Sequence, residues 1–189
     1  MIGSQRLFRL LDQEKVAAVL VGGAAMILQG VTHFTNDIDV CYRRDQDNLE
    51  RLARAILPLN PRLRVEGLTD AEARALPFQL DSRTLHNTQS LTLMTDIGAV
   101  DLLGSISGLG DYDNLRAYIV DIDLDGLRVP VLSLAAIITN KRTSARTKDI
   151  TALPHIEATL RLQEAMAERA SCQNDVADQQ VEDQVDSVE

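Results

Sequence analysis

Asp37-Ile38-Asp39 carries two carboxylates two residues apart, and on a β-strand such side chains leave the same face. Burying two like charges so close is costly unless cations neutralise them. A pair of Mg²⁺ ions about 3.5–4 Å apart is the arrangement that serves in-line phosphoryl displacement. Taken alone, so short a pattern is better described as an exposed acidic edge strand. Gly22-Gly23, about fifteen residues upstream, shifts the balance. A glycine pair where a strand turns into a helix leaves backbone amides free to meet phosphate. Asp101, set between Val100 and Leu102-Leu103, is a third candidate carboxylate, because an aspartate in so apolar a strand needs a metal or a hydrogen-bond partner. The last component runs from Asn140 to Asp149, where Lys141, Arg142, Arg146 and Lys148 form the densest basic cluster in the chain. Cations there suit a triphosphate and a departing pyrophosphate. Asp149 closes the cluster, either as an anion near a helix N-terminus or as the partner of one of those cations. Asp121-Ile122-Asp123 with Asp125 repeats the acidic spacing beside a hairpin turn, has no glycine loop upstream, and is read as a solvated face.

These residues need elements to position them. Ser4 to Lys15 has a helical apolar face, and Val16 to Val21 is a continuous β-branched-rich run expected to be a buried strand. Ala24 to Gln29 favours helix before Gly30. Asp37 to Tyr42 alternates as a strand, and Gln46 to Leu57 is an amphipathic helix stopped by Pro58. Residues 59 to 88 show no readable period beyond a short helix around Ala71 to Leu76. Ser90 to Thr95 and Ala99 to Leu103 read as strands, and Tyr118 to Leu124 and Leu127 to Leu132 flank the hairpin dipeptide Asp125-Gly126. Ser133 is placed to cap a helix over Leu134 to Arg142, and Lys148 to Ala170 is expected to be helical with an interruption at Pro154.

At 189 residues, 45% hydrophobic and 25% charged, the chain suffices for one cored domain or for a domain plus a small appendage. A net charge of −9 excludes a histone-like coat for nucleic acid but permits a local basic groove. Six of the acidic residues fall between Cys172 and Glu189, which has no Lys or Arg. The expected division is therefore a core over 1–132, a helical segment over 133–170 packed on it, and an acidic tail over 171–189 expected to be disordered. Cys41 and Cys172 lie far apart without metal-ligand spacing, which fits a reducing compartment. The longest apolar stretch, Val16 to Leu28, is too short to span a membrane and is split by Gly22-Gly23; Asp12 and Glu14 upstream are wrong for a signal peptide. A cytoplasmic protein is expected.

Four segments in order carry a resemblance: Val19-Leu20-Val21-Gly22-Gly23-Ala24-Ala25, Thr35-Asn36-Asp37-Ile38-Asp39-Val40, Val100-Asp101-Leu102-Leu103, and Asn140-Lys141-Arg142 with Arg146-Thr147-Lys148-Asp149. Over roughly residues 16 to 153 the chain resembles minimal nucleotidyltransferases of the polymerase-β-like superfamily, and among them the AbiEii/MenT type of bacterial toxin. The resemblance implies an α+β fold, a small mixed β-sheet with helices packed behind it and a helical C-terminal segment. It implies transfer of an NMP from an NTP to an acceptor hydroxyl at a two-metal Mg²⁺ site. In toxin-type members the acceptor can be the 3′ end of tRNA, and a neighbouring antitoxin is the usual partner. By position, Asp37, Asp39 and Asp101 would bind metal, Lys141 and Asp149 would match the late catalytic pair, and Gly22, Gly23, Thr35, Arg146 and Lys148 would hold nucleotide and phosphate. Two departures stand out: His33 occupies a position where many relatives have Arg, and Thr151-Ala152 replace a further Asp.

Overall fold

The computed structural model describes the backbone of residues 2–185 and the side chains of residues 5–169 and 171. Helix α1 (Ile2–Gln13) buries Leu7, Phe8 and Leu11, and strand β1 (Ala18–Val21) follows with every residue buried. Helix α2 (Gly22–Leu28) begins directly at the strand's end. Strand β2 (Asp37–Tyr42) is half-buried over its first three residues and buried over its last three, so its carboxylates occupy the accessible end. Helix α3 (Gln46–Ile56) is capped by Asp45, whose side chain accepts from the Asn48 N–H. The buried Asn48 side chain in turn bonds both backbone groups of Ala17 and the carbonyl of Arg43, tying α3 to the ends of β1 and β2.

The stretch without a readable period holds β3 (Arg62–Leu63), α4 (Asp70–Ala75) and α5 (Ser82–Asn87). Strand β3 is too short to establish a period in sequence; α4 is the short helix expected around Ala71 to Leu76, and α5 is again too short to show a period. The latter two are set by side-chain caps: a Thr69/Glu72 capping box and the Asp81 carboxylate accepting from Thr84 N–H. Strands β4 (Ser90–Thr95) and β5 (Gly98–Leu103) form a hairpin. A small ribbon of β6 (Ser105–Ile106) and β7 (Gly110–Asp111) leads to α6 (Tyr112–Leu115), then to β8 (Ile119–Leu124) and β9 (Leu127–Leu132). Asp125 (φ 54°) and Gly126 (φ 81°) make the tight turn between them, and Asp121 and Asp123 face solvent as expected.

Among the described residues, seven strands form one mixed sheet in the order β3-β4-β5-β2-β1-β9-β8. The pairs β2/β5 and β1/β9 are parallel and the others antiparallel. Helices α1, α3 and α5 pack successively on one another. Helix α7 (Leu134–Ser144) starts at Ser133, whose hydroxyl accepts from Ala136 N–H, and α8 (Thr147–Val185) follows after Ala145 in a left-handed conformation. Leu134, Ile137, Ile138, Ala152 and Ile156 join the same continuous core as β1 and β2. The α+β architecture and helical C-terminal segment match the expectation.

Two features of α8 differ from it. The helix passes through Pro154 without a break, since Pro154 and Ile150 are both exposed and the carbonyl left unpaired there can reach water. It also continues to Val185, through most of the segment expected to be disordered; that segment has no Gly or Pro to end a helix already nucleated upstream, and residues 186–189 lie outside the described residues. No helix among the described residues is long and apolar enough to cross a membrane.

Candidate active site

The strand register assembles the carboxylates. Asp39 on β2 lies opposite Val21 on β1, the residue immediately before Gly22, and opposite Asp101 on its other neighbour, β5. Asp37 precedes it on the same face of β2 and is held by Thr35, whose hydroxyl donates to Asp37 Oδ1 at 2.6 Å. The three acidic residues and the glycine turn therefore gather at one end of the three central strands. They line a cleft of about 680 Å³, whose other side carries Asn140, Lys141, Arg146, Lys148 and Asp149 from α7 and α8. Gly22, Gly23, Thr35, Asp37, Asp39, Asp101, Lys141, Arg146, Lys148 and Asp149 all border this cleft, whereas Arg142, the remaining cation of the basic cluster, lies outside it and pairs with Glu157.

Both glycines are required by close approach. Gly22 has φ +65°, and a Cβ there would overlap the Asp39 carboxylate, lying 2.8 Å from its Cγ. At Gly23 a Cβ would come within 2.7 Å of Thr35 Cβ and 3.2 Å of His33 Cδ2. The backbone of the turn thus rests directly on the acidic strand and on the loop leading into it. Gly22→Ala is expected to destabilise the fold by about 1–2 kcal/mol through its left-handed backbone alone. Mn²⁺ is expected to raise the melting temperature of the wild type, and because Gly22→Ala also displaces Asp39, that rise should be absent from the variant. A variant that retains that rise would show that the turn does not set the carboxylate's position.

Burial dominates the electrostatics. The Asp39 carboxyl is pushed from its ordinary value near 3.8 to about 7 by desolvation, reinforced by Asp37 and Asp101 and only partly relieved by Lys148 and Arg146. Asp101 is raised for the same leading reason, with Thr92, Arg64 and Lys148 working against it and Asp37 for it. His33 is lowered by burial and by Lys141, so it favours the neutral imidazole.

The late cluster forms a network. Lys141, only 9% exposed, donates from Nζ to Asp149 Oδ1 at 2.8 Å, and Arg146 Nε donates to Asp149 Oδ2 at 2.7 Å. Burial would raise the Asp149 carboxyl, but these two cations outweigh it and hold it below the usual range. Of the two roles open to Asp149, partner of the cations is the one its geometry shows. Lys148 and Arg64 form no ion pair among the described residues and remain available to a ligand.

Sequence reasoning missed Arg64, together with Ser105, Ser107 and Ser144, which also line the cleft. Arg64 falls in the unread stretch, one residue beyond the two-residue β3, and no local signal marks it. Ser105 and Ser107 were adjacent in sequence to the Asp101 strand and carried no pattern of their own.

No group of three or more His, Cys, Asp or Glu side chains forms a ready-made metal cluster among the described residues. The donor set nevertheless fits hard divalent cations. Asp101 Oδ1 is buried and accepts no hydrogen bond, and Asp39 resists ionisation unless positive charge arrives beside it. An unpartnered oxygen next to two further carboxylates is what a cation ligand set needs before the ion is bound.

No protein-family model matches the chain, and no curated protein matches it by sequence. Solved structures do share its fold. The chain is similar to the antibiotic-resistance factor ANT(2'')-Ia, with 15% identity and a TM-score of 0.55 over 93% of this chain and 92% of that one. A structure of ANT(2'')-Ia in complex with adenylyl-2''-tobramycin gives 13% identity and a TM-score of 0.53, over 91% and 95%. The lincosamide antibiotic adenylyltransferase LnuA, lincomycin-bound, gives 14% and 0.52, over 84% and 97%. The chain shares the fold of these structures over 84% to 93% of its length.

Proposed function

We propose that the chain is a Mg²⁺-dependent nucleotidyltransferase, moving an NMP from an NTP to an acceptor hydroxyl with release of pyrophosphate. The observation that carries this reading is the register that sets Asp39 between Asp101 and the residue before Gly22, joining three carboxylates to a glycine turn at one end of the central strands. The shared fold supports it. Asp37, Asp39 and Asp101 would hold the Mg²⁺ ions, which when bound supply charge neutralisation and alignment for in-line displacement. Gly22 and Gly23 keep side chains away from the phosphates. Lys148 and Arg146 face the triphosphate, and Lys141 is held against the cleft by Asp149. Asp101, with a raised pKa and an unpartnered Oδ1, is placed to take the proton of the acceptor hydroxyl. The acceptor oxygen then bonds to the α-phosphorus as the bond to the pyrophosphate oxygen breaks, and Arg146 and Lys148 neutralise the leaving charge.

For the acceptor we propose RNA, the 3′ end of tRNA, with a cognate antitoxin as the protein partner, as the toxin-type resemblance implies, and for the setting the cytoplasm, in keeping with the widely spaced Cys41 and Cys172. Arg64, a lining cation with no ion-pair partner among the described residues and no role towards the triphosphate, suits a phosphate-bearing acceptor. A second reading is a small-molecule hydroxyl, favoured by the similarity in fold to adenylyltransferases of antibiotics. Incubation with Mg²⁺ and each α-labelled NTP should place label in RNA, whereas γ-label should appear only in pyrophosphate. Label in a small-molecule or protein pool would replace the acceptor. NTP binding without pyrophosphate release from any pool would reduce the chain to an inactive binding module.

A further inference from the structure

Phe34 is 79% exposed, the most exposed large apolar side chain among the described residues, in a chain with three Phe, three Tyr and no Trp. Its loop is anchored on both sides. Val31 is buried, with its N–H bonded to Met26 O at 3.0 Å; His33 and Thr35 pack on Gly23; Thr35 bonds Asp37. The backbone on either side is therefore held in place while the ring is directed outward, along the wall of the cleft that also holds the glycine turn and the carboxylates. No other Phe, Tyr or Trp lines that cleft among the described residues, His33 supplying its other aromatic ring, and most of the remaining lining is polar or charged.

We infer that Phe34 is the platform on which the nucleobase of the bound NTP stacks. This rests on the nucleotide reading of the cleft given above. With the phosphates against Gly22-Gly23, Arg146 and Lys148, the ribose and base extend from a turn whose packing partners, His33 and Thr35, flank Phe34 in sequence. Every base offers a π-face, so a single exposed ring confers affinity without choosing among bases. Affinities for the four NTPs should accordingly lie close together, and the triphosphate alone should gain nothing from the ring.

The chain's lack of Trp makes Phe34→Trp a single-tryptophan reporter. In the presence of Mg²⁺, its emission should be quenched by each NTP and not by inorganic tripolyphosphate. By calorimetry, Phe34→Ala should bind ATP roughly 5- to 100-fold more weakly, bind tripolyphosphate as the wild type does, and be rescued by Phe34→Tyr. Undiminished ATP affinity in Phe34→Ala, with tripolyphosphate still bound, overturns the inference and leaves the nucleotide reading standing. A loss confined to the acceptor's KM also overturns it, since the ring would then serve the acceptor. Wild-type protein that binds neither ATP nor tripolyphosphate overturns both.

Discussion

Asp39→Asn is expected to lower nucleotidyl transfer by about 10³-fold or more while making the cation-free protein more stable at pH 8. The first effect follows from removing a charge at the centre of the carboxylate group, where Asp39 lies beside Asp101 in register and under Gly22. Metal-ion stabilisation of the transition state is worth several kcal/mol, and each 1.4 kcal/mol is tenfold in rate. The second follows from linkage. The Asp39 carboxyl titrates near 7 in the folded chain against an ordinary value near 3.8, so the folded state binds the proton more tightly than the unfolded state. Its favourable contribution is complete below about pH 4 and is lost as the pH rises through about 7. Asn is neutral throughout and escapes that loss. Denaturation midpoints of the two proteins should therefore coincide near pH 4 and diverge in favour of Asp39→Asn by pH 8. Added Mg²⁺ should reverse the order at pH 8, because only the wild type exchanges its proton for the cation. Parallel pH profiles, or transfer retained by the folded variant, would show that Asp39 is neither strained by burial nor a metal ligand.

What made this site readable from sequence is that its halves are local. Gly22-Gly23 announces itself as the junction of an apolar run with a helix former, and Asp37-Ile38-Asp39 is contained in one strand. The connection between them is not local: β2 pairs with β5 in parallel, and the chain between Tyr42 and Gly98 must be threaded before Asp101 meets Asp39. Sequence placed Asp101 in an apolar strand and inferred that it needed a partner, but the identity of its neighbour depends on strand order. Arg64 was invisible because a two-residue strand has no period. Phe34 was invisible because exposure is a tertiary property, and an isolated Phe in a polar loop has no sequence signature. The stop expected at Pro154 failed for a related reason, since the tolerance of proline depends on whether water reaches the carbonyl it leaves unpaired.

The late cluster supports the other large effect, in which Asp149→Ala should cost about 3–5 kcal/mol of folding stability. Asp149 is 1% exposed and accepts from both Lys141 and Arg146. Without it, the Lys141 ammonium is left buried with no counter-charge, whereas Arg146, largely exposed, can turn to water. Removing both buried charges together should therefore be far milder than removing one. Asp149→Leu combined with Lys141→Met should recover most of the lost stability in urea denaturation. The depressed Asp149 carboxyl gives the pair a pH signature of opposite sign to that of Asp39. Its stabilisation is present above the ordinary aspartate value and is lost as the pH falls from there through the lower folded-state value, so this part of the wild type's acid destabilisation should be absent from the double variant. If Lys141 serves the triphosphate, the well-folded double variant will still fail to transfer nucleotide. A double variant that is both stable and active would assign the Lys141–Asp149 pair to holding α7 against α8, and leave the phosphates to Arg146 and Lys148.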